Sequence, residues 1–226
     1  MRLANFEPWY DEVWGVEGIW YSDPGDPGAD TYRGVSMRSH SRHDLWDLIR
    51  PYRALDGFPE CLDDDPGIRA AHRQLFFKHY WNGSKAGSVA AQAQEVAAIL
   101  CDVRANMGPA ARRKVARSLQ EGVNRWSPPE ESDLIVDGVV GPNTIRMLNR
   151  TAVLDSWVEG YVDVVAHMVE RRLEAYVHLV KRRPARLKFL WGWQHRTMMP
   201  LRRLLLQCTY APIPDELLPQ TESPPA

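Results

Sequence analysis

The strongest constraint on this fold is one long helical stripe near the C-terminal end. Trp157, Tyr161, Val164, Val165, Met168, Leu173, Tyr176 and Val180 fall on one face of a helix with 3.6 residues per turn. The stripe predicts a helix from about Ser156 to Arg182. Pro184 stops it, because proline lacks the N–H and its ring clashes with the preceding turn. An amphipathic rod must bury its apolar face against other elements, so the rest of the chain has to supply them.

Most of those elements also read as helices. Phe6, Trp9, Tyr10, Val13, Trp14 and Glu17 share one helical face, with Asn5 as N-cap, Pro8 tolerated in the first turn, and Gly15 and Gly18 weakening the end. Ser22 to Gly28, SDPGDPG, is a string of turn residues, and Thr31 to Ser36 reads as a short strand. Further helices are expected over Ile68–Tyr80, over Ser88–Asp102 with Ser88 as cap, from Pro109 to about Gln120, and over Leu187–Leu206. The predicted fold class is mainly α, with a small β element after the first helix.

Composition removes several classes. Cys61, Cys101 and Cys208 are odd in number, widely spaced and without a zinc pattern, which argues for a reducing compartment and no disulfide framework. No run of about 18 apolar residues exists, so an integral membrane protein is not expected. The opening MRLANFEPWYDEVWG has no apolar signal core, which predicts synthesis in the cytoplasm. The net charge of −1 hides an asymmetry. Residues 1–68 carry 6 Lys/Arg against 14 Asp/Glu, and residues 69–226 carry 22 against 15. The basic part either attracts an anionic polymer or is a set of solvated helix faces. A nucleic-acid partner would call for a more basic total.

One constellation carries chemistry: Glu17, Asp26 and Thr31. Glu17 continues an apolar stripe, so its carboxyl is expected at the edge of a core, where desolvation keeps a proton available for a leaving glycosidic oxygen. Asp26 in a tight turn suits a carboxylate that orients a water, and Thr31 offers a hydroxyl to the same water. By spacing alone a second reading stands beside this one. A glutamate at a helix end can simply be solvated, and an aspartate in a Pro-Gly turn can cap backbone N–H groups.

The stretch Glu17 to Ser36, EGIWYSDPGDPGADTYRGVS, resembles the signature of glycoside hydrolase family 108, which includes phage endolysins and secretion-activator muramidases. Glu17, Gly18, Asp23, Pro24, Asp26, Pro27, Gly28, Thr31, Gly34, Val35 and Ser36 fall in register with it. Ile19, Trp20 and Ala29-Asp30 depart from the family's Gly, Tyr and Gly-Ala. Tyr80-Trp81 resembles a family pair. Asp102-x-x-x-Asn106-x-Gly108, Leu119-Gln120, Asp137-Gly138-Val139-Val140-Gly141-Pro142-x-Thr144 and Phe189-Leu190-x-Gly192-Trp193-x-x-Arg196 resemble its C-terminal peptidoglycan-binding region.

The resemblance implies a lysozyme-like catalytic lobe over residues 1–95 and a helical peptidoglycan-binding region over 96–210 packed on it, while the polar, Pro-rich composition of Pro219–Ala226 predicts a flexible tail over 211–226. The same resemblance implies a muramidase that cleaves the β-1,4 bond between N-acetylmuramic acid and N-acetylglucosamine. Glu17 would be the general acid, with Asp26 and Thr31 beside it and no cofactor. Bacterial peptidoglycan is then the substrate, reached from the cytoplasm through a holin or secretion pore.

Sugar clefts use flat aromatic faces, and Trp20, Tyr80 and Trp81 are the candidates beside the motifs, with Asn106 for an N-acetyl group. Trp14, Trp157 and Trp191 lie on helix stripes and are assigned to the core. No metal is expected, since His40-x-x-His43 with Cys61 lacks a fourth ligand at sensible spacing. Arg112-Arg113-Lys114 reads as a solvated helix face, and Ser39–Gly67 as an acidic loop over the cleft. The competing reading is a non-catalytic peptidoglycan-binding or secretion-assisting protein, which would have no reason to keep Glu17, Asp26 and Thr31. An amidase or peptidase would need a zinc triad or a Cys-His pair in motif context, and neither is present.

Overall fold

A computed structural model describes residues 2–22, 30–154 and 157–210, the side chains of the last four excepted. Helix α1 (Phe6–Val16) starts where the sequence places it, with the Asn5 side chain accepting from the Glu7 N–H, and buries Phe6, Trp9, Tyr10 and Val13. It ends one residue before Glu17, which leaves the helix in extended backbone (φ −80°, ψ 134°).

Three short strands follow: β1 (Trp20–Tyr21), β2 (Thr31–Tyr32) and β3 (Val35–Ser36), antiparallel in that order. Trp20 pairs with Tyr32, and Tyr32 with Val35. The single strand expected over Thr31–Ser36 is therefore a hairpin. Its two turn residues, Arg33 (φ 42°) and Gly34 (φ 79°), both have positive φ, the twist that matches a two-residue loop to paired strands.

Helices α2 (Leu45–Ile49) and α3 (Pro66–Leu75) come next, and α3 widens into a π-type turn over Phe76–Trp81. Asp65 caps α3 by accepting from the N–H groups of Gly67 and Ile68. Residues 39–67 do not form a loop over the cleft. They bury Leu45, Trp46, Ile49 and Leu62 in the core.

Helix α4 (Gln94–Asn106) starts later than the Ser88 cap predicted. The intervening backbone is held instead by Asn149, which donates to the Ser88 carbonyl and accepts from the Ala90 N–H. Helices α5 (Pro109–Trp126), α6 (Pro142–Thr151), α7 (Trp157–Arg182) and α8 (Leu187–Tyr210) complete the chain. Of these, α6 is the one that the periodicity does not predict, although Pro142 sits in a first-turn position. The stripe of α7 is covered by α5 and α8, and α4, buried from Glu95 to Val103, packs on both α7 and α8. One core runs through all of it, from Phe6 to Leu204. No helix among the described residues is long and apolar enough to cross a membrane.

Candidate active site

Glu17 stands at the exit of α1 with its side chain 22% exposed, at the edge of the core. Arg33, from the hairpin turn, fixes the backbone there. Its Nη1 donates to the carbonyls of Trp14 (2.6 Å) and Glu17 (3.0 Å), which places a cation at the C-terminal end of α1. The same guanidinium lies 4.5 Å from the Trp14 ring centroid and forks onto Asp63, which also accepts from the Tyr32 hydroxyl. The hydrogen bond from Arg33 holds the Asp63 carboxyl below the usual carboxylate range. Behind the turn, His72 Nε2 donates to the Arg33 carbonyl and Nδ1 accepts from the Tyr10 hydroxyl. Burial pushes the His72 pKa down to about 4, so this brace is a neutral imidazole.

The Glu17 carboxyl is met from the far end of the chain. Nη2 of Arg196, on α8, donates to Glu17 Oε1, and Arg196 Nη1 lies 4.0 Å from Asp102 Oδ1. Asp102, on α4, is buried. It accepts from Arg172 of α7 through Oδ2 and from Asn106 Nδ2 (2.9 Å) through Oδ1. The exit of α1, α8, α4 and α7 are thus linked in one chain of charges, Glu17–Arg196–Asp102–Arg172.

In front of Glu17 lies a cleft of about 640 Å3, within the range of roughly 300–1,000 Å3 usual for ligand pockets. One side is Glu12, Val16, Glu17, Gly34 and Asn106, and the other is α8, with Lys188, Phe189, Trp191, Trp193, His195 and Arg196. Trp193 stacks on Tyr176 (4.8 Å between centroids) and Phe189 on Trp193 (5.9 Å), which anchors this wall to α7. Trp191 is 79% exposed.

Several expectations need correction here. Trp81 is 2% exposed, clustered with Phe6 and Trp9, and cannot face a sugar. Trp20, on β1, packs edge-on against Trp46 and Phe58 with Arg53 over its face, and is not a cleft residue. Trp191 is on the cleft rather than in the core, because α8 packs on α7 through other faces. Trp157 is buried and Trp14 half-buried between Arg33 and Arg69. Arg112 is half-buried rather than solvated, unlike its neighbours Arg113 and Lys114.

Of the other expected site residues, Asn106 reaches the cleft rim. Tyr80 lines a small recess under Glu17 and hydrogen-bonds His40 (2.8 Å), and burial pushes its pKa up to about 12. Thr31 sits in β2, cross-strand from Ser36 in the hairpin that carries Gly34. Asp26 lies outside the described residues. Asp30, the departure nearest the motif, is ion-paired with Arg53. No group of three His, Cys, Asp or Glu side chains among the described residues is gathered to hold a metal.

Residues 10–108 match the family described as Glycosyl hydrolase 108, and residues 117–198 the family described as Predicted Peptidoglycan domain. No curated protein sequence matches the chain. Among solved structures, SagA of Brucella abortus is similar at a TM-score of 0.51 and 18% identity, over 89% of this chain and 94% of that one. That likeness shows the fold, which is mainly α and lysozyme-like with its small sheet after the first helix. Glu17 and the hairpin lie in residues 10–108, the region that matches the glycosyl hydrolase 108 family, and Arg196 lies in residues 117–198, the region that matches the peptidoglycan domain.

Proposed function

We propose that this glycoside hydrolase is an N-acetylmuramidase, cleaving the β-1,4 bond between N-acetylmuramic acid and N-acetylglucosamine with Glu17 as general acid. The observation that carries the reading is the position of Glu17: a half-buried carboxyl in a cleft whose opposite wall is aromatic. A pyranose presents an apolar face to an aromatic ring and its hydroxyls to polar groups. Trp191, held out from the wall, offers the ring, and Asn106 and Glu12 offer polar contacts at the rim.

As the glycosidic bond breaks, the leaving oxygen needs a proton, and a positioned carboxyl supplies it. Arg196 occupies one oxygen of that carboxyl, so the fork must give way to the incoming sugar. Asp102 Oδ1, 4.0 Å from Arg196 Nη1, is placed to take it over. Asp26 and Thr31 are assigned the attacking water by their place in the motif. The α8 wall makes the C-terminal region part of the cleft as well as a wall anchor.

Mass spectrometry of the products from purified peptidoglycan tests this. New reducing N-acetylmuramic acid ends are expected, and free stem peptides or reducing N-acetylglucosamine ends would refute the reading. Glu17→Gln keeps the size of the side chain but not the proton, so it should lose at least about two orders of magnitude of lytic rate. A folded Glu17→Gln chain with near-normal lysis would remove Glu17 from the chemistry.

A further inference from the structure

Away from Glu17, a second recess of about 250 Å3 opens where the turn after Trp81, α4, the start of α5 and the loop over 138–140 meet. Its charged lining has one sign: Lys85, Arg104, Arg112 and Arg113, with no carboxylate. Among the described residues none of the four forms an ion pair. Two are fixed in place. Arg104 Nε donates to the His79 carbonyl at 2.7 Å, and Arg112 Nε to the Met107 carbonyl at 2.5 Å. Each fork is therefore held through its stem-side nitrogen, and its terminal nitrogens remain for a ligand.

The backbone is shaped to permit this. A Cβ at position 83 would fall 2.4 Å from Arg104 Nε, so only glycine there lets the guanidinium lie where it does. Gly138, at φ 76°, seats its loop against α5, where a Cβ would fall 2.7 Å from the Arg113 carbonyl oxygen. Desolvation, and then the charge of Arg104, hold the Arg112 pKa below its usual value. Two like charges side by side in a half-buried place repel at a strength that bulk water would screen away, and an anion between them removes the repulsion.

We propose that this recess is a carboxylate site for the stem peptides of peptidoglycan, gripping the wall while the cleft at Glu17 takes the glycan. The proposal rests on the wall being the substrate. An arginine fork matches a carboxylate in two parallel hydrogen bonds. The large apolar side chains of the lining, Leu100, Val103, Val139 and Val140, suit the aliphatic carbons that carry an amino-acid carboxylate better than they suit a bare phosphate.

The test is co-sedimentation of the Glu17→Gln chain, which leaves the wall undigested, with intact sacculi and with sacculi stripped of stem peptides. Binding should favour the intact wall. The exposed pair Lys85→Glu with Arg113→Glu should weaken binding to intact sacculi about tenfold or more while leaving binding to bare glycan unchanged. Arg112→Gln, folded by circular dichroism, should do the same. A free stem peptide should compete and inorganic phosphate should not. Equal binding to both walls, unaltered binding by the charge-reversed chain, or competition by phosphate as strong as by peptide would overturn the proposal. The product analysis of the wild-type chain uses none of these residues, so a failed muramidase reading shows itself separately.

Discussion

A Cβ added to Gly34 would sit 3.0 Å from Cδ of Glu17, closer than carbon atoms pack, and would do so in a backbone of φ 79° that penalises any side chain. Gly34→Ala therefore combines two effects. The left-handed backbone should cost about 1–2 kcal/mol of stability. The methyl should also push the carboxyl out of its place opposite α8, so activity should fall further than stability explains. Lysis rates measured well below both melting temperatures separate the two, and a variant that is less stable but fully active would show that Glu17 tolerates the displacement. The sequence places Glu17 at the end of the apolar stripe of α1, and the structure puts it at the edge of the core just past the helix, with Gly34 of the same motif beside it. The sequence could not show Arg196 on Glu17. That pair spans nearly the whole chain, and nothing local to Gly192-Trp193-x-x-Arg196 distinguishes an arginine that faces the wall from one that meets the Glu17 carboxyl. Trp81 misled for a related reason: neighbourhood to a motif says nothing about which way a ring faces, and the π-type turn at Phe76–Trp81 rotates it into the core.

At the scale of elements, the hairpin is bolted to α3 through a histidine. His72 has no exposed surface and bridges Tyr10 of α1 to the turn carbonyl of Arg33. Its pKa is about 4 in the folded chain and about 6.5 when unfolded. Above pH 6.5 both states are neutral and the difference contributes no pH dependence. As pH falls from about 6.5 towards 4, the unfolded chain takes up a proton that the folded chain refuses, so stability declines across that window, by a total on the order of 3 kcal/mol. His72→Gln should flatten the fall of the urea midpoint between pH 7 and pH 4.5 relative to the parent, since every other group titrates in both proteins. Parallel curves would show that His72 is not what the acid limb reports. Long elements such as α1, α5, α7 and α8 were legible because periodicity accumulates over many residues. The start of α4 was not, because Ser88 has a cap's chemistry, but Asn149, from a helix the periodicity did not flag, holds that backbone instead.

Across the whole molecule α8 joins the acidic and basic parts of the sequence through the ion pairs of Glu17 with Arg196 and Glu12 with Arg203, beside those of Asp102 with Arg172 and Glu95 with Arg203 within the basic part. Arg172, Arg196 and Arg203, on α7 and α8, meet Glu12, Glu17, Glu95 and Asp102, on α1, at its exit and on α4. The basic C-terminal helices are thus clamped to the acid-bearing part through charges as well as through the shared core. The most buried clamp is Asp102–Arg172, and Nε and Nη1 of Arg172 have no partner among the described residues. Burial already works against the charged guanidinium. Asp102→Ala would leave that cation uncompensated and should cost about 3–5 kcal/mol. Removing both charges at once, as Asp102→Leu with Arg172→Leu, should recover most of that loss, because a packed apolar pair needs no ionic partner. Activity should not recover with it. Asn106 takes its position from the Asp102 carboxylate, and Asp102 Oδ1 is the group placed to receive Arg196 from Glu17, so the stable double variant should still lyse slowly. Urea midpoints and lysis rates on the same three proteins decide the matter. If the double variant regains activity in step with stability, Asp102 holds the fold together and does not position the cleft.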